Sequence, residues 1–312
     1  MALLVSQSDP SSTLQLSQRA PLLLSTATPA SHFFPLTLLE KPETPATWTD
    51  YERLFQACLR AGDDKSAHLC LERLTTRFGA SDSRVMGLRG MYQEAIATST
   101  EDLERVLRSY EKILRADPMN VPILKRRIAI KKSLARPQEA ISALVEFLES
   151  NATDAEAWCE VADLYHSQGM NAQALFSIEE ALLIAPNAWN LHARMGELEY
   201  SSVAAGTESA QATQKLLADA VRRFSRSIEL CDGYLRGYYG LKIASHRLLE
   251  NLDTSTSSTL SDIPPRNVIS QLHDLAVKKL EHIIDTRSTQ IVHSDSARAE
   301  LIAAQELLDR SR

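Results

Sequence analysis

The densest group of charged side chains in the sequence is basic and lies between residues 125 and 132. It comprises Lys125, Arg126, Arg127, Lys131 and Lys132. Cations at this density could bind an acidic segment of a partner protein or, less readily, lipid headgroups. Neighbouring residues on a helix point about 100° apart, so the cluster would surround its helix rather than form one stripe. A solvated face or intramolecular salt bridges are therefore favoured over an acidic partner, and these interpretations stay open.

Nucleic acid is the least favoured ligand of this cluster. The whole chain carries a net charge of −6 and has a pI near 5.8, whereas phosphate binding needs a concentrated positive field. The cluster also lacks the interleaved aromatic side chains on which bases would stack.

Catalytic and metal-binding motifs are absent from the sequence. None of GxxxxGK[ST], GxGxxG after a strand, HExxH or GxSxG occurs, and these are the patterns that position phosphates, metals or nucleophiles. The cysteines are widely spaced and lie in apolar helical segments, as expected of reduced core thiols: Cys58, Cys70, Cys159 and Cys231. The histidines are scattered without paired ligand spacing. The sequence therefore predicts no catalytic residue, no cofactor and no metal site.

The elements that position these side chains follow a repeated helical pattern. Between Ala155 and Pro186 the first helix carries Trp158, Val161, Ala162 and Tyr165, Gly169 marks a turn, and the second helix carries Ala174, Ile178 and Ala181. Small residues at the eighth and twentieth positions of such a unit let two antiparallel helices approach closely, and large residues fill the space between them. This is the tetratricopeptide-repeat pattern.

The second-helix triplet of this unit recurs along the chain. The other copies are Ala67, Leu71 and Leu74; Val106, Tyr110 and Ile113; Ala140, Leu144 and Phe147; Ala220, Phe224 and Ser227; and Ala276, Leu280 and Ile283. Six repeats are predicted, beginning near residues 48, 87, 121, 155, 189 and 235. The fold class is therefore an all-α tetratricopeptide-repeat α-solenoid with a C-terminal capping helix at about 294–310.

Three segments depart from the repeat. Residues 1–45 are rich in Ser, Thr and Pro, which predicts a largely extended or partly disordered N-terminal arm with at most a short helix near residues 14–19. The remaining residues, 46–312, form the solenoid. Two Ser/Thr-rich insertions, 201–213 and 251–265, are predicted to be exposed loops.

Stacked first helices in such an array form a groove that accepts an extended or helical partner segment. The candidate partner-binding residues on these helices are Lys125, Arg126, Glu160, Asp163, Arg194 and Glu197. A chaperone-type carboxylate clamp, which needs Lys and Asn at fixed first-helix positions, is not present: Lys125 is followed by Ala129 rather than Asn, and the next repeat offers Glu160.

The sequence also resembles a known family over about residues 48–250. The likeness is carried by AHLCLERLTTRF, by SYEKILRADPMN running into LKRRIAIKK, and by the AEAW repeat with ALFSIEEALLIAPNAWNLHARMGELEY. In these segments the chain resembles subunit 2 of the ER membrane protein complex.

The resemblance implies a non-catalytic scaffold on the cytosolic face of the endoplasmic reticulum membrane. In that family the complex inserts tail-anchored and multipass membrane proteins, and this subunit holds cytosolic segments of the membrane subunits together with a second soluble subunit. The implied partners are thus membrane and soluble subunits of a hetero-oligomeric insertase, with indirect membrane contact and no nucleic acid. The alternative is a soluble tetratricopeptide adaptor or co-chaperone that binds client peptides.

Overall fold

The computed structural model describes residues 10–25, 45–204, 209–254 and 263–289, together with 298, 301–302 and 305–306. Within them the long elements are all helices, and no strand is present. They are α1 (Pro10–Ser25), α2 (Pro45–Ala61), α3 (Asp64–Phe78), α4 (Ser83–Ala95), α5 (Thr100–Ala116), α6 (Val121–Ser133), α7 (Pro137–Ser150), α8 (Ala155–Ser167), α9 (Asn171–Ile184), α10 (Trp189–Ala204), α11 (Ala210–Leu230), α12 (Leu235–Thr254) and α13 (Arg266–Thr289).

From α2 onward the helices follow one another in the order of the predicted hairpins, and α2 packs on α3, α4 on α5, α8 on α9, α10 on α11 and α12 on α13. This all-helical repeat confirms the predicted fold class. Four of the first helices begin at the predicted residues 121, 155, 189 and 235, and the other two begin a few residues early. The early starts have local causes. Pro45 is tolerated in the first turn of α2 because its missing N–H would have no intrahelical partner there. Asp82 caps α4 by accepting a hydrogen bond from the Val85 N–H at 3.0 Å.

Polar side chains and glycine set the other helix ends. Ser99 and Asp102 form a reciprocal capping box at the start of α5, and Asp154 accepts from the Ala157 N–H at 3.0 Å at the start of α8. Between α8 and α9, Gly169 has a φ of 73°, a left-handed conformation that glycine adopts without strain. The turn predicted at Gly169 is therefore present.

The chain divides into two compact units, Met1–Ala143 and Leu144–Arg312, and the boundary falls within α7. In the first unit, a buried core forms between α2, α3 and α4 around Phe55, Cys58, Cys70 and Leu74. In the second unit, one core joins α8, α9 and α10 through Ile178 and its neighbours. Another joins α10 to α13 around Phe224.

Phe224 illustrates how the predicted size pattern determines packing in the second unit. Its ring lies against two glycines on neighbouring first helices, Gly196 of α10 and Gly240 of α12. A Cβ added at Gly196 would lie 3.0 Å from the ring, and one added at Gly240 would overlap it. Only glycine therefore allows the ring to fill this space.

The N-terminal segment differs from the predicted extended arm, because Pro10–Ser25 form helix α1. Its buried residues are Thr13, Ser17, Ala20 and Leu24, spaced so that they share one helical face against α2 and α3. Arg73 of α3 donates hydrogen bonds to the Leu24 carbonyl and to the Tyr51 hydroxyl. The rest of the predicted arm, residues 1–9 and 26–44, lies outside the described residues.

Both predicted insertions are shorter than expected where they are described. Helix α10 continues through residues 201–204, since Ser202 and Val203 are buried, and Ser209 caps α11 one residue before Ala210. Helix α12 likewise continues to Thr254. Residues 205–208 and 255–262 lie outside the described residues, as does most of the capping helix predicted at 294–310, of which residues 298, 301–302 and 305–306 are helical. None of the described helices is long and apolar enough to span a membrane.

Candidate partner-binding surface

The candidate residues predicted from the sequence all lie on first helices of the repeats. Lys125 and Arg126 are on α6 in the first unit, Glu160 and Asp163 are on α8, and Arg194 and Glu197 are on α10 in the second unit. The two groups are therefore described separately.

In the first unit, Arg126 joins a polar network that links three helices. Its Nε donates to Glu94 Oε1 of α4 at 2.9 Å, and its Nη2 binds the other carboxylate oxygen. The Tyr110 hydroxyl of α5 donates to the same Glu94 Oε1 at 2.6 Å. Gly90 of α4 leaves the space that Tyr110 needs, since a Cβ there would lie 2.8 Å from the ring carbon Cε1. Arg126 therefore joins α4 and α6.

The network favours the protonated forms of Arg126 and Tyr110. Burial lowers the pKa of Arg126, but the hydrogen bonds and negative charge of Glu94 outweigh it, so the pKa stands above its usual value. Burial and the adjacent Glu94 carboxylate raise the pKa of the Tyr110 phenol. Tyr110 therefore remains a hydrogen-bond donor to Glu94 over the whole physiological range.

The same arrangement occurs one repeat earlier. Arg84 of α4 binds the carboxylate of Glu52 on α2. In both pairs the acidic residue is on one first helix and the arginine, 32 residues later, is on the next. The two pairs differ in exposure, because the Arg84 side chain is mostly in solvent and the Arg126 side chain is mostly buried.

The second unit carries a longer series of first-helix ion pairs. Arg194 of α10 binds Asp163 of α8 at 2.6 Å and Glu197 of its own helix at 3.1 Å. Glu197 also binds Arg236 of α12, with 2.7 Å between Nη2 and Oε2. We call Asp163, Arg194, Glu197 and Arg236 the first-helix charge row. It joins three successive first helices through alternating charges.

The ends of the first-helix charge row are its accessible part. The side chains of Asp163 and Arg236 are 62% and 60% exposed, against 27% and 23% for Arg194 and Glu197. A partner segment lying across the row would therefore meet one accessible carboxylate and one accessible guanidinium. Exposed pairs of this kind contribute about 0–1 kcal/mol each to stability, so they can exchange partners at small cost.

Arg126 and Lys131 of the basic cluster form ion pairs within the chain. Arg126 pairs with Glu94, and Lys131 lies 3.4 Å from the Glu139 carboxylate. Lys125 and Lys132 are exposed on α6, and Glu160 on α8 is half-buried. Arg126 and Lys131 therefore form intramolecular salt bridges, as the favoured interpretation of the cluster predicts.

Sequence reasoning missed Glu52, Arg84, Glu94 and Arg236, which complete the ion pairs. The signal that could have found most of them is an acidic residue followed by arginine 31 or 32 residues later, as at 52 and 84, 94 and 126, and 163 and 194. This interval is close to the repeat length, so it places the two side chains on neighbouring first helices.

Buried ionisable groups are also present between α10 and α11. Glu199 is 4% exposed, and its Oε2 has no hydrogen-bond partner. Burial raises its pKa to about 8, although Arg223, with its Nε 3.8 Å from Glu199 Oε1, acts in the opposite direction. At 3.8 Å and without a hydrogen bond, the attraction of Arg223 is too weak to offset the effect of burial on the Glu199 pKa. The Glu199 carboxyl is therefore largely protonated near neutral pH.

Three of the cysteines, Cys58, Cys70 and Cys159, are poor nucleophiles. Burial raises the pKa of Cys58, that of Cys70 to about 12 and that of Cys159 to about 11. A thiol with such a pKa is protonated at neutral pH, and the thiolate is the reactive form. The described residues also contain no group of three or more His, Cys, Asp or Glu side chains that could hold a metal ion.

These helical hairpins, with small residues at the close contacts and ion pairs between first helices, define a tetratricopeptide-repeat protein. Residues 79–214 match the family model described as the EMC2 TPR-like repeat domain, and this segment contains all six candidate residues. The chain belongs to the ER membrane protein complex subunit 2 family.

Individual relatives agree with this assignment. The chain is 32% identical over 240 residues to the TPR repeat protein oca3 of Schizosaccharomyces pombe, covering 74% of this chain and 81% of that protein. It is 34% identical over 204 residues to ER membrane protein complex subunit 2-A of Xenopus laevis, covering 65% of this chain and 64% of the frog protein.

Among solved structures, the C-terminal part of a TPR repeat-containing protein from Cytophaga hutchinsonii matches 95% of this chain and 99% of its own. The TM-score is 0.50 at 12% identity. This likeness shows the fold alone.

Proposed function

We propose that this protein is a non-catalytic scaffold subunit of an ER membrane protein complex, held at the cytosolic face of the membrane by its partners. In this role it supports the insertion of tail-anchored and multipass membrane proteins by holding cytosolic segments of the membrane subunits. Membership of the subunit 2 family supports the assignment to the complex. The protonated thiols of Cys70 and Cys159 fit a chain that binds rather than reacts.

The observation that carries the binding role is the first-helix charge row. Its four side chains run over α8, α10 and α12, so one partner segment lying across these helices can meet all three repeats. The accessible carboxylate of Asp163 and guanidinium of Arg236 offer a partner one charge of each sign. Such complementary charges fix the register and orientation of a bound segment more than they add affinity.

Affinity purification from solubilised membranes tests the proposal. The tagged chain is expressed in Saccharomyces cerevisiae lacking its own ER membrane protein complex subunit 2, a relative that is 24% identical over 257 residues. We expect the chain to recover the membrane subunits of the complex in stoichiometric amounts from detergent extracts. Recovery of chaperones alone would instead support the soluble adaptor function.

A matched pair of charge reversals locates the binding surface. Asp163→Lys changes the accessible carboxylate of the first-helix charge row, and Glu179→Lys makes the same change at an exposed position on the second helix of the same repeat. We expect Asp163→Lys to reduce recovery of the membrane subunits and Glu179→Lys to leave it unchanged. Thermal melting of both purified variants confirms that each is folded. Equal recovery with both would place the contact elsewhere.

A further inference from the structure

A basic cleft on the second unit lies between α10 and α11, apart from the first-helix charge row. Its volume is about 280 Å³. It is lined by His192 of α10 and by Asp219, Arg222, Arg223 and Arg226 of α11. Three guanidinium groups thus surround one recess.

The residues that line the cleft carry a net positive charge. Asp219 binds Arg222, and Glu229 accepts a hydrogen bond from Arg226 Nη1 at 2.8 Å. Glu199 lies 3.8 Å from Arg223 and is not part of the lining. The lining itself therefore carries three guanidinium groups and one carboxylate, Asp219.

His192 lies in the positive electrostatic field of the cleft. It is mostly buried, with Nε2 2.9 Å from the Pro186 carbonyl oxygen, while its Nδ1 has no hydrogen-bond partner. Burial lowers its pKa, and the charges of Arg223 and Arg226 lower it further. An anion in the cleft would offset these two charges.

We propose that this cleft binds an extended acidic segment of a partner protein, whose carboxylates lie along the arginines of α11. Arg222 and Arg226 are four residues apart, a rise of about 6 Å along a helix. Carboxylates two residues apart on an extended chain are separated by about 6.6 Å and lie on the same side. The two spacings match, and a guanidinium can bind both oxygens of a carboxylate through parallel N–H donors.

The geometry favours a peptide over other polyanions. The lining contains no Phe, Tyr or Trp, and its one imidazole, His192, is too buried to offer a face on which a base could stack. The arginines are arranged along a recess between two helices, whereas lipid headgroups are recognised by clusters of exposed cations at the membrane surface. The proposal stands whether or not the chain is a subunit of an insertase.

The test is the binding of a fluorescein-labelled peptide in which six Glu residues alternate with Ser, measured by fluorescence anisotropy at low salt with the full-length chain. A peptide with Gln in place of Glu is the ligand control. We expect Arg222→Gln/Arg223→Gln/Arg226→Gln to weaken binding by about tenfold, because charges that face the ligand are removed together. If this variant melts at a lower temperature, Arg222→Gln and Arg226→Gln are measured singly, each with an expected weakening of about threefold.

The matched control is Arg105→Gln/Arg108→Gln/Lys112→Gln on α5. It removes the same three charges from exposed positions on a second helix. We expect this variant to bind the Glu peptide within about twofold of the unmodified chain. An equal loss in both triple variants would overturn the proposal, because any basic helix would then suffice. Binding to phosphatidylserine vesicles but not to the Glu peptide would also overturn it.

Discussion

Arg126 and Glu94 form a two-pronged ion pair that joins the first helices of two neighbouring repeats. The Arg126 Nε and Nη2 atoms bind the two carboxylate oxygens of Glu94, and the Tyr110 hydroxyl donates a further hydrogen bond to Glu94 Oε1. Both charged side chains are largely buried. The pair therefore links α4, α5 and α6 within the first unit and is not freely available to a partner.

Removing one partner of this pair should destabilise the first unit. Arg126→Ala leaves the Glu94 carboxylate buried with only Tyr110 beside it, so we expect a loss of about 3 kcal/mol in the free energy of unfolding. The control is Arg84→Ala, which breaks the equivalent pair with Glu52. The Glu52 side chain is 15% exposed, but the Arg84 side chain is 68% exposed and already pairs with it from solvent, so this change should cost less, about 1 kcal/mol. Urea denaturation followed by circular dichroism measures both. Equal effects would mean that Arg126 is no more important to the fold than a surface arginine.

Gly240 should be intolerant of a methyl group. A Cβ at this position of α12 would overlap the Phe224 ring, which is buried in the core of the second unit. We expect Gly240→Ala to lower the free energy of unfolding by about 1–3 kcal/mol, the usual range for overpacking. Gly233→Ala, in the turn before α12, meets no atom within 4 Å and is the matched control.

A compensating substitution tests whether Gly240→Ala acts through its contact with Phe224. Gly240→Ala combined with Phe224→Leu should recover part of the loss, since the smaller side chain leaves room for the methyl group. If the loss of stability in the double variant equals the sum of the losses in the two single variants, direct contact between these residues is contradicted.

The parts of the fold that were predictable from sequence are those encoded by local size and spacing. Ala174, Ile178 and Ala181 specify a close helix contact by themselves, and the same spacing recurs at Ala220, Phe224 and Ser227. The positions of these hairpins therefore follow from a pattern within about 34 residues. The ion pair of Arg126 does not, because its partner lies on another repeat and the pairing depends on how the repeats stack.

The full extent of helix α1, of which only a short helix near residues 14–19 was expected, was missed for a different reason. Its buried face carries the polar residues Thr13 and Ser17 beside Ala20 and Leu24, while Leu22 and Leu23 are exposed. The apolar residues of the segment therefore show no helical period, and the pattern that normally indicates an amphipathic helix is missing. Tertiary contacts with α2 and α3 determine its position.

Docking of α1 should protect Cys58 from thiol reagents. Ser17 of α1 hydrogen-bonds the Cys58 thiol, and Leu24 is buried in the same core. Leu24→Asp would bury a carboxylate without a partner, so we expect α1 to detach and Cys58 to react faster with dithionitrobenzoate. Leu22→Asp is the control, because Leu22 is 70% exposed on the same helix. Both are made in a Cys159→Ser/Cys231→Ser background, and equal rates would contradict docking through Leu24.

Glu199 should make the second unit less stable as the pH rises. Burial raises its folded-state pKa to about 8 from a usual value of 4.5, so between these values the folded state holds a proton that the unfolded state has lost. The free energy of unfolding therefore falls as the pH increases from about 4.5 to about 8. Glu199→Gln keeps the shape of the protonated side chain without the ionisation, and should be more stable than the unmodified chain at pH 8 by roughly 4 kcal/mol. At pH 5 the two proteins should differ little in stability, which chemical denaturation at a series of pH values can measure.

If the difference between the two proteins did not change with pH, Glu199 would have to be ionised in the fold, with Arg223 moving closer to pair with it.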